Sequence, residues 1–472
     1  MIVSERRSGV SRRGYVITPL SNCDDLLAFH QLNPKRYPHL LESVVHGTDQ
    51  ARYDILFAFP GQHLALDSRQ HLFLDDEKQD DTDFLAVLDR RWGDPQDVEH
   101  VENSADQEQP PFRGGWFIFL AYEFVGQIEK KLKIKRSDDA VPLAMATRFP
   151  AAIIRDHKLK TAYLVCESNR QNDIVPAVEA DSRALSKYSG DQELNITGLT
   201  EETPERFLQG VDRIKNYIRE GDVFQVNLSR LWRGRLAGHS NGVQLYRRLR
   251  RSNPAPFAGL MTLTPTTQII SSSPERLVSV VQGKVSTRPI AGTHPRGKDG
   301  AEDKLLSAQL LAHPKERAEH VMLIDLERND LGRICQPGSV AVKDFMILES
   351  YRHVHHIVSE IHGTLGPGIS PAAVIRAVFP GGTITGCPKV RCMEIINELE
   401  DTARGAYTGA MGYINHNGDM DLNILIRTLT KEGDTVHWRA GSGIVSDSVP
   451  DLELDETRAK AKGLLSALQE MS

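Results

Sequence analysis

Four glutamates at helical spacing are the first residues in the chain that could do chemistry. Glu316 and Glu319 lie three apart in Lys315-Glu316-Arg317-Ala318-Glu319-His320, and Val321, Leu323, Ile324 and Leu326 continue a helical segment, so both carboxylates fall on one face. Near the C-terminus Glu453, Glu456 and Lys460 stand at i, i+3 and i+7 on a second expected helix, again on one face. Carboxylates from two helices can converge on one hard cation, because magnesium takes a few protein oxygens and keeps water and substrate oxygens for the rest. Taken singly, each helix reads more simply as a solvated face, since surface Glu and Lys three or four apart ordinarily form weak salt bridges. A lone Arg427 or His356 is likewise an ordinary buried structural group, and Gly441 or Gly443 an ordinary turn residue. Chemistry follows only from the ordered set.

The elements that must hold these residues belong to a large folded unit. At 472 residues the chain has room for two or three average domains or for one large α+β unit. Hydrophobic residues at 40% and charged residues at 25% are those of a folded soluble protein, and 57 basic against 63 acidic residues, a net charge of −6, give no polycationic surface for nucleic acid. Arg6, Arg7, Arg12 and Arg13 are followed by no apolar signal-peptide core, and no later run reaches bilayer-span length, so a cytoplasmic protein with no membrane partner is expected. Cys23, Cys166, Cys335, Cys387 and Cys392 are odd in number and contain no CxxC, which argues against disulfides and a zinc cage.

Along the chain, the first third has strand character. Trp116 to Leu120 is a continuous apolar run, and Ala151 to Arg155 and Thr161 to Cys166 flank a polar turn at His157-Lys158, as in a hairpin. The acidic stretch Asp75 to Asp83 and the polar stretch Glu99 to Pro111 read as solvated loops. Composition turns polar from Ser168 to Thr203, so the chain divides into an N-terminal region 1–170, a linker 171–203 with one helix, and a region 204–472. In the last of these, Thr203 and Pro204 suit a helix start, Phe207, Leu208, Val211, Ile214 and Ile218 form its apolar stripe, and Gly221 its stop. A strand Val223 to Leu228 follows, and turns at Asn417-Gly418 and Glu432-Gly433-Asp434 separate runs Tyr407 to Ile414, Leu422 to Leu429 and Val436 to Ala440, an antiparallel meander. Strands joined by hairpins, with helices in separate blocks, predict an α+β fold rather than a doubly wound parallel sheet.

Six motifs occur in order through the second half: Ser272-Ser273-Pro274-Glu275, Arg288-Pro289-Ile290-Ala291-Gly292-Thr293, His355-His356-Ile357-Val358-Ser359, Gly381-Gly382-Thr383-Ile384-Thr385-Gly386-Cys387-Pro388-Lys389, Ile426-Arg427-Thr428 and Ala440-Gly441-Ser442-Gly443-Ile444-Val445. Together they resemble the chorismate-utilising enzyme family, which contains anthranilate synthase component I, aminodeoxychorismate synthase component I, isochorismate synthase and salicylate synthase. The similarity runs from about Thr203 to the C-terminus; Leu40-Leu41-Glu42-Ser43 and Arg52-Tyr53-Asp54 carry a fainter likeness in the first third. The resemblance implies large antiparallel sheets in layers with helices outside and the active site between them. It implies magnesium held by Glu319 and Glu456 against the ring carboxylate of chorismate, with Glu316 and Glu453 close by. Arg427 and Lys460, with Tyr407 and the backbone of Gly441 and Gly443, would take the pyruvyl carboxylate, a guanidinium binding two oxygens and glycine letting amides approach. Thr383 and His356 would line the ring side, Ala291 and Thr293 belong to the substrate-binding set, and Glu275 resembles the acid that protonates the departing C4 hydroxyl, a task for a carboxyl kept protonated by partial burial.

Two positions bear on the nucleophile. Water-adding members of the family have an activating lysine where this chain has Gln225, and an uncharged amide cannot serve as that base, so ammonia becomes the natural attacker. No cysteine sits in a glutaminase nucleophile elbow, so a separate glutamine amidotransferase partner is implied. At the second position aminodeoxychorismate synthases typically carry lysine and anthranilate synthases alanine; Ala291 therefore favours anthranilate. Against it, Asn253-Pro254-Ala255-Pro256-Phe257-Ala258 departs from the Pro-Tyr-Met pattern of tryptophan-inhibited anthranilate synthases, and His355-His356 with the Gly381 to Gly386 motif leans to the aminodeoxychorismate branch. Leu41, Glu42 and Ser43 accompany the tryptophan pocket in that family, where this chain would hold tryptophan as a fixed ligand or nothing. The reading is 4-amino-4-deoxychorismate formation, with anthranilate formation as the alternative and a silent tryptophan-binding paralogue as a third.

Overall fold

The computed structural model describes residues 14–21, 23–45, 51–92, 109–135, 140–185, 194–238, 240–297, 299–350 and 354–469. Most of the Glu99 to Pro111 stretch lies outside the described residues. No described helix is long and apolar enough to cross a membrane.

Two twelve-stranded sheets form the body, and their strand pairs are antiparallel. The continuous apolar run at Gly115–Leu120 shows why they stack. Phe117 and Phe119 point to one side, against Phe57, Met261, Ile269 and Met411 from both sheets, while Trp116, Ile118 and Leu120 point to the other, into a core shared with helices. A strand buried on both faces needs no polar alternation. The helices Gly242–Ser252 and Pro450–Leu468 cover the outer face of the first sheet through Leu245, Leu249, Ala461 and Leu464, and Pro371–Val378 and Lys389–Leu399 contribute to the core beside the second. The expected layered α+β architecture is thus present.

Both sheets draw strands from both ends of the chain. His39–Glu42 pairs with Phe257–Thr262, and Gly115–Leu120 pairs with Ala410–Asn415. The stretch read as a linker holds the helix Gln171–Ala184 and the strand Asn195–Glu201, which pairs with Gln225–Ala237. The hairpin of Ala151–Asp156 and Thr161–Glu167 forms as predicted, and the helix predicted after Thr203 spans Pro204–Arg219. The acidic stretch is not wholly loop, since Glu77–Lys78 pairs with Leu72–Leu74.

Two strand expectations are corrected. The strand after Gly221 runs on to Ala237, because Arg230, Trp232 and Leu236 are taken into a core that local polarity did not announce. The C-terminal meander is also divided between sheets: Ala410–Asn415 and Met420–Ile424 pair in the second, whereas Thr428–Glu432 and Thr435–Ile444 pair in the first. The chain crosses at Leu425-Ile426-Arg427, and Arg427 takes φ 52°, a left-handed backbone that costs a residue with a Cβ about 1–3 kcal/mol.

One buried ion cluster locks these parts together. Glu400 accepts from Ser229 N (2.9 Å), Ser229 Oγ (2.8 Å), Arg404 Nη2 (2.7 Å) and Arg439 Nη2 (3.1 Å). Arg404 also donates to Asn227 O (2.8 Å) and Ile384 O (3.1 Å), and Glu123 of the N-terminal region accepts from Arg404 N (2.6 Å) and Gly405 N (3.0 Å). Burial pushes the Glu400 carboxyl up, but the two guanidiniums outweigh it and hold it below its usual range. Glu400→Gln would leave two buried cations without their counterion, a loss of about 3–5 kcal/mol. Urea unfolding is expected to show a clearly lowered midpoint; an unchanged midpoint would refute this account of the cluster.

Candidate active site

The site forms where the two sheets exchange strands. Gln225–Ala237 and Thr435–Ile444 lie side by side, with Asn227 opposite Gly443 and Ser229 opposite Gly441. The glycines are required by closeness. A Cβ on Gly443 would collide with the Gln225 amide, and one on Gly441 would stand 2.7 Å from Asn227 Oδ1 and 2.8 Å from Tyr407 Oη. Gln225 and Asn227, two apart and so on one strand face, each bury a carbonyl oxygen, Oε1 and Oδ1, with no hydrogen-bond partner. Two acceptors facing the glycines ask for donors from something that enters.

Glu275 follows the strand Thr267–Ser273 and is 6% exposed. Thr383 donates its hydroxyl to Glu275 Oε1 at 2.7 Å. Burial raises the Glu275 pKa to about 7, against the opposing pull of the Thr383 hydrogen bond and the positive charges of Lys460 and Arg427. A carboxyl that keeps its proton near neutrality beside two cations is equipped to donate it. Arg427, placed by the crossover, is half-buried; its removal from water depresses its pKa while Tyr407, Glu456 and Glu275 sustain its charge. Lys460 donates to Gly441 O at 3.1 Å and pairs with Glu456 at 2.6 Å. Burial raises Tyr407 above the ordinary phenol range, and the Arg404 guanidinium lies 5.5 Å from its ring centre.

The other wall is the strand Val354–Thr364, with Ile290–Pro295 beside it. His356 donates Nδ1–H to Gly292 O at 3.3 Å, and burial lowers its pKa to about 4, so it stays neutral at physiological pH. Its neighbour His355 is held by Asp303 and Ser350. Ala291 is buried opposite Ile357. Thr293 pairs through its backbone with His356; its side chain lies outside the described residues.

The four helical glutamates are placed as two pairs. Glu316 and Glu319 lie on Pro314–Gly332, where Glu316 stands against Gly292. Glu453 and Glu456 lie on Pro450–Leu468. Ser448 donates to Glu453 Oε1 at 2.6 Å, while Glu453 Oε2 is buried with no hydrogen-bond partner. Among the described residues no three His, Cys, Asp or Glu side chains form a metal-holding group. A buried carboxyl oxygen without a donor, one turn from Glu456, is nevertheless chemistry that a hard cation bound through few protein oxygens would satisfy.

Leu41, Glu42 and Ser43 lie elsewhere. They line a cavity of about 840 Å³ with Arg52, Tyr53 and Met411. Glu42 is engaged within the chain, accepting from Tyr246 Oη (2.5 Å) and Arg250 Nη1 (3.0 Å), and Ser43 donates its hydroxyl to Pro256 O at 3.1 Å.

The motifs pointed to Glu275, Thr383, Arg427 and the glycines, and the structure brings these near one another. They did not point to Asn227, Glu400, Arg404 or Arg439. The available signal was Arg439 in a strand otherwise buried, where a charge needs a partner.

Comparison with known proteins gives the same placement. Residues 48–466 match the family of chorismate binding enzymes. The chain is 42% identical over 391 residues to aminodeoxychorismate synthase component 1 of Bacillus subtilis (strain 168), covering 80% of this chain and 83% of that one. It is 35% identical over 481 residues to anthranilate synthase component 1 of Acinetobacter calcoaceticus, covering 96% and 93%. Its fold aligns with anthranilate synthase component I from Streptococcus pneumoniae TIGR4 at a TM-score of 0.75 and 32% identity, over 89% of this chain and 93% of that one. With its motif residues gathered in one place and a family match over most of its length, the chain belongs to the chorismate binding enzymes.

Proposed function

We propose that the protein aminates chorismate with ammonia from a separate glutamine amidotransferase, giving 4-amino-4-deoxychorismate. The observation that carries the reading is Glu275, a buried, Thr383-held carboxyl protonated near neutrality and facing Arg427 and Lys460. Chorismate is a dicarboxylate whose C4 hydroxyl leaves poorly, so it needs cations for its carboxylates and a proton for its oxygen. Arg427 and Lys460, with Tyr407 and the backbone of Gly441 and Gly443 beside them, suit the pyruvyl carboxylate, and Thr383 and His356 suit the ring side. Ammonia is already nucleophilic and asks only to be oriented; the unpartnered Gln225 Oε1 and Asn227 Oδ1 can accept its N–H bonds. No general base is required at Gln225.

Magnesium belongs to the proposal as a charge set against the ring carboxylate, held by Glu319 and Glu456 with Glu316 and Glu453 beside them. The cavity at Leu41, Glu42 and Ser43 has volume for an amino acid as large as tryptophan. Anthranilate formation is a second reading, and Ala291 is the observation that favours it, since alanine offers no amine to attack C2 before ammonia arrives.

Four outcomes are expected. Incubated with chorismate, magnesium and ammonium chloride, the wild-type protein should yield a product that becomes p-aminobenzoate only when a lyase is added; fluorescent anthranilate formed without lyase would promote the second reading. Glu275→Gln keeps shape and loses the proton, so chorismate binding should persist while turnover falls roughly 10²-fold or more. In wild type the rate should decline as pH rises through about 7, where Glu275 loses its proton. Weaker binding with unchanged maximal rate would make Glu275 a binding residue instead. Glu319→Ala and Glu456→Ala should each weaken magnesium affinity by roughly tenfold or more. The readout is the magnesium-dependent rise in melting temperature, and an undiminished rise in either variant would remove that residue from the metal set.

A further inference from the structure

Two stretches of chain pass between the sheets side by side. Thr267–Ser273 belongs to the first sheet and Arg276–Val281 to the second, so the chain changes sheets at Pro274-Glu275. Met420–Ile424 belongs to the second and Thr428–Glu432 to the first, so the chain changes back at Leu425-Ile426-Arg427. The two crossings run antiparallel, bounded by the pairs Ser271 with Thr428 and Arg276 with Asn423. One crossing bears the carboxyl of Glu275 and the other the guanidinium of Arg427.

A regular ladder cannot join them. Pro274 has no N–H to give, and Arg427 has the left-handed backbone already described. Two main-chain bonds remain, from Ser272 N to Arg427 O (3.1 Å) and from Ile424 N to Glu275 O (3.0 Å). The Ser273 hydroxyl fills the gap between them: it donates to Ile424 O at 2.5 Å and accepts from Glu275 N at 3.3 Å. The neighbouring hydroxyls are engaged elsewhere, Ser271 with Thr428 Oγ1 at 2.8 Å and Ser272 with Asn253 O. Ser273 and Ile424 are 0% and 2% exposed, so bulk water has no access to stand in for the Ser273 hydroxyl.

We propose that Ser273 is a positioning residue for Glu275, its hydroxyl pinning the crossing that bears the acid to the crossing that bears Arg427. Within Ser272-Ser273-Pro274-Glu275 it is the residue whose side chain bonds both the acid's own backbone and the opposite crossing. The inference rests on Glu275 as the acid and holds for either amination product, since both lose the same C4 hydroxyl. Without the pin, the Glu275 N–H is buried with no acceptor and Ile424 O keeps only the Ile426 N–H, at 3.0 Å. The crossings then part and water reaches Glu275. The charged groups around it are Arg427, Lys460 and, on the helix Pro314–Gly332, Glu327. Burial is what holds Glu275 at about 7 against Thr383, Lys460 and Arg427, so hydration returns the carboxyl toward the ordinary range and its proton is lost at lower pH.

Ser273→Ala removes the pin and little else. With ammonium chloride as nitrogen source, kcat should fall roughly tenfold, the KM for chorismate should stay within about threefold, and the basic limb of kcat should move down by about half a unit or more. Ser273→Thr, which keeps the hydroxyl, should hold the limb at its wild-type position. Ser271→Ala separates positioning from stability: it removes an equally buried hydroxyl bond of the same strand that does not touch Glu275, so it should lower the urea midpoint about as much and leave the limb in place. A limb that stays put in Ser273→Ala, or moves equally in Ser271→Ala, overturns the inference, while an inactive Glu275→Gln leaves the acid reading intact; an active Glu275→Gln overturns the acid reading itself. Should Ser273→Ala not fold, Ser273→Cys, similar in volume and a weak donor, is read for the same downward shift, and an unshifted limb there overturns the inference equally.

Discussion

The antiparallel pairing of Gln225–Ala237 with Thr435–Ile444 is the contact on which the rest of the site depends. It brings a strand that bears two amide side chains against one that bears two glycines, and the glycines let the Gln225, Asn227 and Tyr407 side chains close onto the backbone there. Hydrogen bonds of the ladder alone would let such a pair slide, since the glycines pack little. Glu400 prevents this. By joining Ser229 of one strand, Arg439 of the other and Arg404 beneath both, it fixes their register with charge-assisted bonds in a buried place. Arg404 then carries the restraint outward, to the carbonyl of Ile384 beside Thr383 and to the ring of Tyr407.

Around that pairing, burial decides the chemistry. Arg427 and Lys460 would by themselves hold Glu275 ionised, yet its removal from water outweighs them and it keeps its proton near neutrality. The same burial keeps His356 neutral and Tyr407 protonated. A dicarboxylate entering this site would neutralise the two cations and thereby drive the Glu275 carboxyl further toward its acid form. Substrate binding and readiness of the acid are coupled through one electrostatic balance. The strained backbone at Arg427 belongs to this balance, because only the crossover between sheets lets that guanidinium face both Glu275 and Glu456.

The cavity at Leu41, Glu42 and Ser43 follows a different logic. Glu42, which faces that cavity, is tied to Tyr246 and Arg250, and Arg250 is tied to Asp25, so its carboxyl group braces the cavity wall. The cavity also touches Arg276 and Met411, which stand on strands adjoining the candidate site. Cavity and site therefore share sheet elements without sharing side chains.

The sequence by itself determined the class of the fold and the family, and its motifs named residues that the fold then gathers. Hairpin signals and separate helical blocks depend on local spacing, and Glu275, Thr383, Arg427, Gly441 and Gly443 stand in short motifs that are read without knowing how the chain folds. Tertiary structure alone decided the rest, since each remaining feature is a relation between residues far apart. No local pattern told that the C-terminal strands divide between two sheets at Arg427, that Gln225–Ala237 runs on through polar residues into a core, or that strands of the first third complete both sheets. Glu400 looks like an ordinary glutamate in the sequence, and it becomes a fixed buried anion only because the fold sets it against Arg404 and Arg439 from distant parts of the chain.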